Sequence, residues 1–184
     1  MGGIGFNYWN QPTTSWEDEI RTTDVEADSH DHGDFLVYLG TKKLDFTDDR
    51  YQSTASSTKS ADVHLHDNKG DVIHLHADGV SLAYFFTSIG FTLTSECFTL
   101  DTGEANCIDE ANVLELYVNG ELYDDAPEYI INDEDRILLY YGTADQPALQ
   151  QYLDEITDLS CMYSGTCPER GTPPPEECGL TCEL

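Results

Sequence analysis

The sequence predicts an α+β domain: a mixed β-sheet of about five to six strands with one packed helix, then a C-terminal helix and a disulfide-rich tail. Two observations carry this. Short apolar runs with period-two alternation recur between residues 34 and 142. A single stretch with helical spacing interrupts them at 79–90, and a second follows at 145–158.

Residues 1–29 are polar, acidic and aperiodic, and read as an extended acidic arm with Trp9 and Trp16 as anchors. Residues 30–142 form the histidine-rich domain, 143–160 the C-terminal helix, and 161–184 a Cys/Pro-rich tail with no core of its own. Within the domain, Asp34-Phe35-Leu36-Val37-Tyr38-Leu39 is a first strand. Gly40-Thr41-Lys42-Lys43 turns it into a short second strand at Leu44-Asp45-Phe46, and a Ser/Thr-rich loop fills 47–61. Residues 62–77 read as a hairpin turning at Asn68-Lys69-Gly70, with Gly70 at a positive-φ position. In the helix at 79–90, Ser81 is the N-cap, Leu82, Phe85, Phe86 and Ile89 are the apolar stripe, and Gly90 is the stop. Cys97 and Cys107 bracket a turn at Asp101-Thr102-Gly103. A strand at 113–118 ends in the turn dipeptide Asn119-Gly120, and an acidic turn at Asn132–Asp135 precedes a buried strand ending at Gly142.

The six histidines all fall into His-x-His pairs: His30/His32, His64/His66 and His74/His76. Side chains alternate faces along a strand, so both members of each pair point the same way. The hairpin register sets His64 opposite His74, with His66 and His76 on the same face. Val63, Leu65, Ile73 and Leu75 form the opposite, apolar face. One side is therefore core and the other a solvent-facing imidazole plate. Thiolate-free imidazole sites suit Zn²⁺, Cu²⁺ or Ni²⁺, so His64, His66, His74 and His76 are the principal candidate metal ligands, with His30 and His32 contributing. Copper and zinc remain alternatives. Asp31, Asp34, Asp67 and Asp78 are candidates to orient the rings. Six imidazoles exceed one site's needs: His30/His32 complete the hairpin site, or two sites exist, or a metal bridges protomers of a homo-oligomer.

The net charge is −28, from 36 acidic residues against eight Lys and Arg. The acids are spread throughout the chain, as adaptation to high salt requires. Nucleic acid is excluded as a partner, because no cationic track exists for phosphates. Six cysteines point to an oxidising compartment. Proximity suggests the disulfides Cys97–Cys107, Cys161–Cys167 and Cys178–Cys182. The rival is a zinc knot of Cys161, Cys167, Cys178 and Cys182, whose spacings suit zinc poorly. No apolar run spans a membrane. The opening Met-Gly-Gly-Ile-Gly is consistent with a removed leader or anchor, which would put the protein outside the cell or on its surface. The alternative location is a halophile's cytoplasm.

The order strand–strand, helix, strand–strand is that of a β-grasp domain. The phrase Tyr117-Val118-Asn119-Gly120 … Asn132-Asp133-Glu134-Asp135-Arg136-Ile137 resembles the closing half of ubiquitin-like β-grasp proteins; the fold alone is implied. A second resemblance spans roughly residues 30–170. It rests on His30-x-His32-x-Asp34-Phe35, on His64-Leu65-His66-Asp67-x-x-Gly70-x-Val72-Ile73-His74-x-His76, on Phe85-Phe86-x-Ser88-Ile89-Gly90, and on the Asn119-Gly120 and Asp135-Arg136-Ile137 close. This order resembles an uncharacterised family of surface or membrane-anchored proteins of archaea and some bacteria, often labelled as protein-disulfide isomerases. The isomerase label has no support in this chain, which lacks a Cys-x-x-Cys motif. The function expected is copper or zinc capture, storage or relay. The alternatives are a structural or adhesive surface protein stapled by metal, and a metalloenzyme. The enzyme is disfavoured, because no phosphate loop, nucleophile elbow or Ser/His/Asp constellation occurs.

Overall fold

The computed structural model describes residues 30–54 and 56–173. The expected arm, with Trp9 and Trp16, and the expected Cys178–Cys182 bridge lie outside them. The α+β class holds. The main mixed sheet has seven strands and a separate sheet has three.

β1 (Asp31–Leu39) is flanked by a parallel partner, β10 (Arg136–Thr143), and by an antiparallel one, β4 (Val72–Leu75). β3 (Val63–His64) lies outside β4, while β8 (Asn112–Val118) and β9 (Glu121–Tyr123) continue beyond β10. The order is therefore β3-β4-β1-β10-β8-β9, with β2 (Lys42–Lys43) paired to the end of β1. Parallel first and last strands, each beside an antiparallel neighbour, give the β-grasp-like connectivity that the element order suggests. The short second strand sits two residues earlier than Leu44–Phe46, because Gly40 (φ 59°) turns the chain at once. Phe46 leaves the sheet and fills the core.

Helix α1 (Leu82–Ser88) starts and stops where its caps predict: the Ser81 side chain accepts from the Tyr84 N–H, and Gly90 has φ 92°. Its buried stripe packs on the sheet face carrying Phe35, Val37, Val63, Leu65, Ile73 and Leu75. The small sheet, β5 (Thr92–Leu93), β6 (Cys97–Thr99) and β7 (Ala105–Cys107), is bridged across register by Cys97–Cys107. β8 and β9 are joined by Asn119 and Gly120, both at positive φ, the conformation of a tight hairpin turn.

The opposite sheet face is covered too. Helix α2 (Leu149–Glu155) lays Tyr152, with the following Ile156, on Leu36, Tyr38, Leu138 and Tyr140, and the Tyr38 and Tyr152 rings stack at 3.7 Å. Helix α3 (Ser160–Tyr163) then packs against β1, and a 3-10 turn at Pro168–Arg170 follows. Cys161 and Cys167 are bonded to each other, so they cannot supply two thiolates to a zinc knot.

Candidate metal centre

Three neighbouring strands bring the histidines together. His64 of β3 is in register with His74 of β4, as the hairpin pattern predicts, and His74 is in register with His32 of β1. His30 and His76 stand just outside β1 and β4, two residues along. His66 follows β3, where the chain leaves β4 and pairs with Gln52 and Ser53.

The six imidazoles form a closed ring. Going round it, ring centroids are 4.9 Å apart for His30–His32, 4.7 Å for His32–His74 and 3.7 Å for His74–His66. The circuit closes with 5.5 Å for His66–His64, 4.9 Å for His64–His76 and 5.0 Å for His76–His30. One ligand nitrogen each from His30, His32 and His74 lies within 4.8 Å of the others. This three-imidazole group can hold a metal ion.

Two expectations need correction. The imidazole plate does not face water: His32, His64, His66 and His74 are all at most 1% exposed. Over His32 and His74 the cover is α3, whose Tyr163 ring lies 5.4 Å from both. Only His30 and His76 are partly exposed, so the cluster opens to solvent on their side. The turn also differs. It is centred on Asp67 and Asn68, both at φ 55°, and closed by the Lys69 N–H donating to the His66 carbonyl. Gly70 is required for a different reason, because a Cβ there would lie 2.8 Å from the Phe46–Thr47 backbone.

Hydrogen bonds fix several rings. His64 Nδ1 donates to the Ser60 carbonyl at 3.0 Å, and His66 Nδ1 donates to the Asp67 carboxylate at 2.8 Å. Ser164 donates its hydroxyl proton to Asp133 at 2.5 Å, so its oxygen accepts from His32 Nδ1 at 2.9 Å. In each case the neutral ring carries its lone pair on Nε2, the arrangement by which outer hydrogen bonds prepare metal-binding histidines. His74 is held well below the ordinary imidazole pKa by burial first, then by His66, His32, His64 and His76. It is therefore neutral, as ligation requires.

Of the four aspartates expected to orient rings, Asp67 does so. Asp34 is fully buried and instead receives the Thr157 hydroxyl and the Leu159 and Ser160 N–H groups, anchoring the start of α3. The Asp31 carboxyl is pushed above its usual range by burial, then by Asp133 and Asp78. Ser60, Asp133, Tyr163 and Ser164 were not among the expected residues. Asp133 had a signal: a strand parallel to β1 must bring the turn before it to the start of β1. No local pattern points to Tyr163 or Ser164, which reach the site across more than 130 residues for Ser164.

No family model, curated protein or solved structure matches the chain. Among the described residues the α+β fold carries two disulfides and a three-histidine group, partly exposed at His30, that could hold a metal ion. Disulfides persist in oxidising compartments, which favours an extracellular setting. Among the described residues no helix is long and apolar enough to cross a membrane.

Proposed function

We propose that this protein is a secreted or surface-exposed, salt-adapted binder of copper or zinc, of the archaeal and bacterial surface family that its motif order resembles. The observation that carries the reading is the His30/His32/His74 group. Nitrogens sharing one ion at 2.0–2.1 Å lie at most about 4 Å apart, so small side-chain rotations close the site. The imidazole donor set favours Cu²⁺ or Zn²⁺ over Ca²⁺ or Mg²⁺. The negative charge of the whole chain favours capture of a cation.

The test is elemental analysis of tag-free protein, loaded with Zn²⁺ or Cu²⁺ and desalted. At least one equivalent is expected, with loss of metal in His32→Ala/His74→Ala. Equal metal content in both proteins would reject the assignment.

A second reading makes the ion a structural staple, favoured by burial of the cluster between three strands and α3. A chelator would then lower the melting temperature sharply. A carrier would instead exchange its ion readily and keep most of its stability.

A further inference from the structure

A single ion held by His30, His32 and His74, the group whose ligand nitrogens already lie within 4.8 Å of one another, engages three of the six imidazoles, and two ring spacings among the other three are similar. An imidazole nitrogen about 2.0–2.1 Å from Zn²⁺ places its ring centre about 3 Å from the ion. Two such rings at a tetrahedral angle then lie about 5 Å apart. The His74–His32–His30 links, 4.7 and 4.9 Å, meet this condition. So do the His76–His64–His66 links, 4.9 and 5.5 Å. The contacts between the two groups largely do not. His66 and His74 are packed at 3.7 Å, too close for two ligands spread around one ion, and His64 and His74 at 6.4 Å are too far apart.

The middle strand supplies one ring to each group. β4 runs between β3 and β1. Each outer strand segment offers its whole His-x-His pair, and the middle strand's pair borders both: His74 lies 4.7 Å from His32 and 3.7 Å from His66, and His76 lies 4.9 Å from His64 and 5.0 Å from His30. Each half also has its own orienting hydrogen bonds: Ser164 on His32 in one, Ser60 on His64 and Asp67 on His66 in the other. Where the halves meet on the partly exposed side, His30 and His76 are 5.0 Å apart.

Resting on the metal-binding reading above, we infer that the cluster is a two-ion site. One ion is held by His30, His32 and His74, the other by His64, His66 and His76. The ligand class is a pair of borderline divalent cations, Zn²⁺ or Cu²⁺, each with three imidazoles.

Native mass spectrometry of the full chain titrated with Zn²⁺ tests this. Wild type is expected to saturate at two ions. His64→Ala/His66→Ala and His30→Ala/His32→Ala should each saturate at one. Electron paramagnetic resonance of the Cu²⁺-loaded wild type needs no substitution, and should show spin coupling between neighbouring ions. Wild type saturating at one ion, with an isolated Cu²⁺ spectrum, overturns the two-ion site and leaves metal binding standing. Two ions retained by both double variants also overturn it. A wild type that binds none removes both readings.

Discussion

Ser164 contributes one hydroxyl, yet it ties His32 to Asp133 and so sets which ring nitrogen faces the cluster. Ser164→Ala should leave the far-ultraviolet circular dichroism unchanged and weaken metal retention by roughly 10–100-fold in a competition with a chromophoric chelator. His74 makes a second expectation at this scale. Its folded pKa lies well below the ordinary imidazole value, so below about pH 6.5 the unfolded chain binds a proton that the folded chain refuses. Stability is therefore complete above that pH. It is lost as pH falls, by at most about 1.4 kcal/mol per pH unit for this one group, until the folded pKa is reached. Thermal melts of chelator-treated protein at successive pH values from neutral downwards should show the decline, and a level melting temperature would contradict it.

The element that decides the character of the cluster is α3. It is short, but Asp34 anchors its start, and the Cys161–Cys167 bond closes the loop that carries Tyr163 and Ser164. A loop of this length stabilises the fold by roughly 2–3 kcal/mol through restriction of the unfolded chain. Cys161→Ser/Cys167→Ser should accelerate metal dissociation about tenfold or more, measured by stopped-flow transfer to a chelator. Cys97→Ser/Cys107→Ser, in the separate small sheet, should leave that rate unchanged. Elements whose signals are local could be read from the sequence. Alternation gave the pairing of His64 with His74, and Ser81 and Gly90 gave the bounds of α1. What covers the imidazole face was not legible, since a hairpin pattern says nothing about a segment some 90 residues downstream. A clue lay in Phe35-Leu36-Val37-Tyr38-Leu39: an unbroken apolar run marks a strand buried on both faces, so the face shared by His32, Leu36 and Tyr38 needed a cover.

For the molecule as a whole, the net charge of −28 sets a condition on folding. Compaction brings like charges together, and salt relieves the repulsion as the screening length shrinks from about 10 Å at 0.1 M to about 3 Å at 1 M. The melting temperature should therefore rise steadily between 0.1 and 2 M KCl; a fall or no change would remove the salt-adapted reading. The covered cluster also has a temporal consequence. Its walls come from β1, near residue 32, and from the segment around residue 160, which meet through hydrogen bonds spanning 125 and 126 residues at Asp34. Contacts of such long sequence separation form late, because the intervening chain must first be closed into a loop. The imidazoles thus stay exposed until the segment around residue 160 docks on β1, and burial of the cluster becomes a report that this long-range contact has formed.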